Sequence, residues 1–225
     1  WMRTSKRSCW KRTLISAYNG SGDNVKIREE IALLGKDVIR HRRALHQIPE
    51  IGLATVETKA YLKKQLEQLK IDELREDFIE HGLVAVLYGK QNTEMIAFRA
   101  DMDALPISEE TKAAFVSSYP GRMHACGHDG HTATLLGAAK ILSEQKNFNG
   151  TVRFIFQPAE EPGKGARAML EDGLLDRFPV DEIYGLHNMP SLPTGTIHTK
   201  VGGIMASEDN FTIRIKGKGG HASSP

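Results

Sequence analysis

The chain lacks most of what marks secreted, membrane-bound or nucleic-acid-binding proteins. Two cysteines in 225 residues, Cys9 and Cys126, do not make a disulfide framework, and they point to a reducing, cytoplasmic setting. No apolar run approaches the roughly 20 residues of a membrane span, so no membrane partner is expected. Net charge is also small: 30 basic residues stand against 28 acidic ones. Even this slight excess lies in residues 1–24, where Arg3, Lys6, Arg7, Lys11 and Arg12 face only Asp23. The body that follows is slightly negative, so a pI near 8.5 belongs to the tail and implies no nucleic-acid partner. The tail's apolar stretch, Leu14-Ile15-Ser16-Ala17-Tyr18, is too short for a signal sequence. Residues 1–24 read as a disordered extension or a misplaced start, with a mitochondrial leader as the alternative. There is no internal repeat and no low-complexity segment, and hydrophobic content and charge are those of an ordinary globular domain.

What is present is a pattern of alternating elements. Residues 25–47 carry Ile27, Ile31, Leu34, Val38 and Leu45 at three-to-four spacing, which predicts a helix stopped by Pro49, and residues 57–69 predict a second one. Apolar runs at 83–88 and 95–99 predict strands, joined as a hairpin or neighbouring pair around Gly89 and Asn92. A helix over 132–143, a strand over 151–157 ended by Pro158, a helix over 166–175 and a strand over 182–187 follow. Strands alternating with helices imply an α/β layer with a mixed, mostly parallel sheet flanked by helices. After Pro190 the texture changes: 195–201 and 210–216 alternate apolar and polar residues, as strands with one wet face do. The chain is thus expected to hold a tail (1–24), a main domain (25–205) and the first strand of a smaller domain (206–225).

The densest chemistry is His124-Ala125-Cys126-Gly127-His128-Asp129-Gly130-His131. Three of the nine histidines fall within eight residues, together with a thiol and a carboxylate. Thiolate and neutral imidazole suit zinc-like cations, and Asp129 could orient a ligand or join it. The plain alternative is a buried small cysteine among loop histidines. In open α/β sheets, ligands bind beyond the carboxyl ends of the strands. Three predicted strands end in candidate groups: Asp101 and Asp103, Glu160 and Glu161, and His187. Singly, each has an ordinary reading as a turn former, a solvated acidic pair or a hydrogen-bonding histidine. Together with the cluster, they point at one crevice. Gly217-Lys218-Gly219-Gly220 lacks the spacing of a nucleotide-binding loop.

Six segments carry a resemblance: 42–50 (Arg42-Arg43-Ala44-Leu45-His46-Gln47-Ile48-Pro49-Glu50), 98–106 (Phe98-Arg99-Ala100-Asp101-Met102-Asp103-Ala104-Leu105-Pro106), 123–131, 156–161 (Phe156-Gln157-Pro158-Ala159-Glu160-Glu161), Leu186-His187-Asn188 and 217–221. In this order, over about residues 37–225, the chain resembles the metal-dependent amidohydrolases of the aminoacylase and carboxypeptidase type. The nearest branch is that of hippurate hydrolase, N-acyl-amino-acid amidohydrolases and auxin-conjugate hydrolases. The resemblance implies a zinc-exopeptidase-like catalytic domain with a smaller α+β lid, and a site of two divalent cations, zinc or manganese. Cys126, His128, Glu161 and His187 would be ligands, Glu160 the general base, Asp103 an orienting group and His221 an oxyanion-binding histidine on the lid. In an extended segment the adjacent side chains of Glu160 and Glu161 would diverge, one to metal and one to water. His124 and His131 would be structural or supporting. The implied substrate is a small N-acyl amino acid, cleaved at its amide, and the implied partner a second copy of the chain through the lid.

Departures are Lys112-Ala113-Ala114-Phe115, where relatives often read Gly-Leu-Pro-Phe, and Leu69-Lys70-Ile71, without the usual glycine. The family also supplies one more histidine ligand from beyond residue 225. Two rivals follow: a cysteine-nucleophile hydrolase with Cys126 activated by His124 or His128, and an inactive fragment or non-catalytic metal-binding module.

Overall fold

A computed structural model describes residues 29–223 except 79, 81 and 92, so the expectations for residues 1–24 and for the start of the first helix lie outside the described residues. The chain divides into two compact units, Lys26–Pro190 and a unit that includes Ser191–Pro225.

The larger unit runs α1 (Glu29–His46), α2 (Val56–Leu66), β1 (Glu73–Phe78), β2 (Gly82–Tyr88), β3 (Met95–Asp101), α3 (His128–Gln145), β4 (Thr151–Gln157), α4 (Gly165–Glu171), α5 (Leu174–Arg177) and β5 (Glu182–Gly185). The five strands form one sheet in the order β1-β2-β4-β3-β5. β4 pairs parallel with β3, and β3 parallel with β5, whereas β1–β2 and β2–β4 are antiparallel. The sheet is therefore mixed as expected, but parallel and antiparallel pairs are equal in number rather than mostly parallel. The expected hairpin of β2 and β3 does not form, because β4 enters between them. The connection after β2 is instead tied to the start of β4, with the Gly89 N–H bonded to the Gly150 carbonyl and the Thr151 N–H to the Glu94 carbonyl.

Both faces of the sheet are covered, which is why β2 reads as an unbroken apolar run and β4 as one broken only by Arg153. Leu83, Ala85, Leu87, Phe154 and Phe156 pack with Leu62 and Leu66 of α2 and Leu135, Leu136 and Ala139 of α3. Val84, Val86 and Ile155, one residue out of phase, pack with Met169, Leu174 and Phe178 on the opposite face. The helix expected over 166–175 is two short ones, broken at Gly173, whose φ is +83°. α2 has no side-chain cap at Thr55. The buried Glu50 carboxylate serves instead, accepting the Glu57 and Thr58 N–H groups at 3.0 and 2.8 Å at the positive helix end.

The parallel strands β3, β4 and β5 all end at one rim. Asp101 closes β3, Asp103, Glu160, Glu161 and His187 follow those ends, and α3 begins there at His128, four residues earlier than the apolar spacing predicts.

In the smaller unit, residues 191–223 form no helix and no strand. The alternating segments 195–201 and 210–216, expected as strands, have no ladder partner among the described residues. Their apolar members, such as Phe211 and Ile215, are 83% and 90% exposed. Alternation marks a strand only where one face packs and at least one edge finds a ladder partner. Among the described residues, no helix is long and apolar enough to cross a membrane.

Candidate metal centre

Gly127 sets the geometry of the centre. It precedes α3 with φ +94°, a left-handed conformation that glycine adopts without strain, and a Cβ there would meet Asn188 Oδ1 at 2.5 Å. The turn lets Cys126 and His128, on either side of it, face the same space.

His128 is fully buried, and its Nδ1–H donates to the Asp103 carbonyl at 2.9 Å. Nε2 is left with a lone pair and no hydrogen-bond partner. Around that atom stand Glu161 Oε1 at 3.7 Å, Glu160 Oε2 at 3.8 Å and Asp101 Oδ2 at 3.7 Å. Glu161 Oε1 is likewise buried without a partner. His187 is held in the same tautomer, its Nδ1–H donating to the Asn188 carbonyl at 2.7 Å, and its Nε2 lies 3.5 Å from Cys126 Sγ.

The nitrogen–oxygen separations around His128 Nε2 are too long for good hydrogen bonds. They match neighbouring ligands on one cation, since two bonds of about 2.0–2.3 Å at a tetrahedral centre set their donor atoms roughly 3.3–3.7 Å apart. Two groups of side chains from the expected set converge in this way: Cys126, His128 and His187, and His128, Glu160 and Glu161.

Electrostatics points the same way. Burial and the neighbouring Glu161 push the Cys126 thiol up to about 12. Burial also raises Glu161, and His128 is raised against its own burial by the Asp103 hydrogen bond and the charges of Asp101, Asp103 and Glu161. Negative charge is crowded with too little positive charge to balance it, and a divalent cation would relieve all three groups. The orphaned nitrogen, the orphaned oxygen and the thiol are a donor set that fits such an ion.

Asp103, completely buried, organises the rim. Its Oδ1 and Oδ2 accept the backbone N–H groups of Glu160 and Glu161 at 2.9 and 3.2 Å. The two glutamates lie in a turn, entered through Ala159 at φ +50°, and not in an extended segment. Their carboxylates therefore converge on His128 instead of diverging. His221 lies in the smaller unit, exposed, with Nδ1 2.8 Å from the Ser223 hydroxyl.

A third group, Asp101, His128 and His131, also has ligand atoms close together. Asp101 is already engaged there, by His131 Nδ1 at 2.6 Å and Arg99 Nη1 at 2.8 Å. Although burial opposes it, these two partners hold the Asp101 carboxyl at about 2. His124 is buried, its ring nitrogens have no partner, and burial lowers it to about 4, so it stays neutral. Sequence reasoning gave no role to His46, Glu109 or Asn188. His46 and Asn188 stood inside quoted motifs, but their partners are far away in the chain: Asp129 for His46 and His131 for Asn188.

Comparison with known proteins identifies the family. N-acetylcysteine deacetylase of Bacillus subtilis (strain 168) is 49% identical over 189 residues, 84% of this chain and 49% of the relative. Hippurate hydrolase of Campylobacter jejuni is 43% identical over 200 residues, 88% of this chain and 51% of the relative. A solved Bacillus subtilis structure, described as a dinuclear metal binding peptidase from the M20 family, superposes with a TM-score of 0.71 at 45% identity, over 75% of this chain and 47% of its own. The chain thus spans about half the length of these relatives. Residues 97–224 match the family model of Peptidase family M20/M25/M40, and with more than half of its length so matched, the chain belongs to that family.

Proposed function

We propose that this chain carries the metal-binding half-site of an amidohydrolase that cleaves N-acyl amino acids into a carboxylic acid and a free amino acid. The observation that carries the reading is the buried, unpartnered Nε2 of His128, facing Glu160, Glu161 and Asp101. Cys126, His128, Glu161 and His187 would hold two divalent cations, zinc or manganese. Bound there, the cations would polarise the amide carbonyl and lower the pKa of water from 15.7 to about 7.

The chain's own groups supply the rest. Glu160, more exposed than Glu161, takes a proton from the attacking water at its carboxylate and passes it to the leaving amine. Asp103 fixes the backbone of both glutamates and the ring of His128, so that base and ligands keep their places. Support for the substrate class comes from the relatives, a deacetylase of N-acetylcysteine and a hydrolase of hippurate, both acyl amino acids.

Cysteine-nucleophile chemistry is disfavoured by the thiol itself. A nucleophilic cysteine needs a lowered pKa, and the surroundings of Cys126 raise it. The deciding experiment measures metal content and hydrolysis of a panel of N-acetyl and N-benzoyl amino acids, before and after chelation. Loss of both on chelation, with restoration on adding zinc or manganese, is expected. Hydrolysis that persists in metal-free protein overturns the mechanism, and failure of Cys126→Ala to reduce metal binding overturns the ligand set.

A further inference from the structure

The proposed roles leave two buried groups at the rim without a task, Asp101 and His131, 1% and 6% exposed. Their hydrogen bonds lead outward to a ligand. Asp101 accepts from Arg99 through Oδ2 at 2.8 Å, and its backbone carbonyl accepts the Thr132 hydroxyl at 2.7 Å. Oδ1 is left for His131 Nδ1, at 2.6 Å. An ionised carboxylate only accepts, so His131 carries a proton on Nδ1. Nε2 meets Asn188 twice: it accepts the backbone N–H at 3.0 Å, and the side-chain amide lies 2.5 Å from it. The same residue's carbonyl takes the Nδ1–H of His187 at 2.7 Å and turns His187 Nε2 toward Cys126.

This connection matters because of where β5 stops. Its last ladder pair with β3 is Arg99↔Gly185, and residues 186–189 leave the sheet. His187 therefore sits on a segment that the sheet no longer holds. The His131 ring packs against the His187 ring, centroids 4.6 Å apart, and Gly127 leaves room for Asn188.

We propose that Asp101 and His131 form a positioning pair whose fixed tautomer grips the Asn188 backbone and thereby aims His187 at the metal centre. The inference rests on the metal-site reading for its consequence, but the grip itself exists without any metal.

Each link predicts a distinct variant. His131→Leu keeps bulk and deletes the hydrogen bonds to Asp101 and to Asn188. His131→Gln keeps a donor and an acceptor about as far apart as the ring nitrogens. In Asp101→Asn, one amide orientation sets N–H against Arg99, and the other reverses the His131 tautomer and sets N–H against the Asn188 N–H.

The test has two arms. In metal-free protein, amide hydrogen exchange at Asn188 should be faster in His131→Leu and Asp101→Asn than in the unaltered chain, and close to it in His131→Gln. In the cobalt(II)-loaded protein, chelator competition should show affinity about 10–100-fold lower in His131→Leu, with the thiolate-to-cobalt absorption of Cys126 retained at saturation. Circular dichroism establishes folding. If His131→Leu does not fold, Asp101→Asn is read in its place. Unchanged Asn188 exchange in the folded variant overturns the grip. Unchanged cobalt affinity overturns its role in aiming His187, as does His131→Gln as weak as His131→Leu, which would make the ring itself a ligand. If the unaltered chain takes up no cobalt, the metal-site reading fails, and the exchange arm still decides the pair.

Discussion

Nδ1 of His46 lies 2.7 Å from Oδ2 of Asp129, a buried contact that joins the last turn of α1 to the first turn of α3. The same oxygen receives Nε of Arg42 at 2.8 Å, and the other ring nitrogen of His46 faces Glu109 at 3.2 Å. A carboxylate at each nitrogen favours the imidazolium form of His46. Asp129 directly follows His128, so this contact anchors the end of α3 that carries the metal centre.

The pair predicts a particular dependence of stability on pH. The Asp129 hydrogen bond raises His46 above its ordinary 6.5, and His46 holds Asp129 below its ordinary 3.8 despite burial. A raised histidine contributes stability that is whole below 6.5 and is lost as pH climbs through the raised value. A depressed aspartate contributes stability that is whole above 3.8 and is lost as pH falls through the depressed value. Stability from the pair should therefore be flat between those two limits and decline on both sides. His46→Gln should cost about 3 kcal/mol on the plateau, since Asp129 keeps Arg42, and it should remove the alkaline decline. Thermal unfolding across pH measures both, and an alkaline limb that survives in His46→Gln refutes the assignment.

Asp103 and Glu160 should separate cleanly in their effects. Asp103→Ala releases two backbone N–H groups and the rim they hold, so metal affinity should fall about 10–100-fold and turnover with it. Glu160→Gln preserves that scaffold, so metal should remain bound while turnover drops about 10²–10⁴-fold. Chelator competition and steady-state kinetics on one N-acyl amino acid distinguish them. Equal metal loss in both variants would mean that Glu160 is a ligand and not the base.

What was legible in the sequence follows from burial. β2 and β4 are covered on both faces, so they appear as apolar runs, that of β4 broken only by Arg153, whereas β1, Glu-Leu-Arg-Glu-Asp-Phe at an edge, shows no such run and was not foreseen. The order of strands was not legible, because pairing of β4 with both β2 and β3 is settled by distant packing and not by the short connection at 89–94. The start of α3 was hidden by its chemistry: His128, Asp129 and His131 are buried against polar partners and break the apolar spacing. Convergence of strand ends made the site readable. His46 and Asn188 were not, because each acts through a hydrogen bond spanning 83 or 57 residues that leaves no local pattern.

Two glycines of the turn after β4 give a matched pair of predictions. A Cβ at Gly165 would lie 1.6 Å from the Pro158 carbonyl oxygen, where backbone must move, while Gly163 has open space around it but φ +65°. Gly163→Ala should cost about 1–2 kcal/mol, the strain of a left-handed residue, and leave metal binding alone. Gly165→Ala should cost about 1–3 kcal/mol through overpacking and also weaken metal binding, because displacing residue 158 shifts Glu160 and Glu161. Unfolding and chelator competition on both variants give the comparison, and equal metal affinities would show that the turn tolerates the shift.

Arg153, on the sheet face away from α3, should be dispensable for stability in an unusual way. It is 7% exposed, Nε and Nη1 have no hydrogen-bond partner, and its guanidinium lies 5.4 Å above the Phe178 ring. Burial lowers its pKa, so keeping the charge inside costs the fold something that the ring contact only partly offsets. Arg153→Met keeps the aliphatic length and removes the charge. It should be neutral or about 1–3 kcal/mol more stable, while Arg153→Ala, which also leaves a void between Met95 and Phe178, should be less stable than the unaltered chain. Urea unfolding of the three proteins decides it. A methionine variant clearly less stable than the unaltered chain would show that the cation earns its place electrostatically, through the negative groups Glu73 and Asp181 that favour its charge.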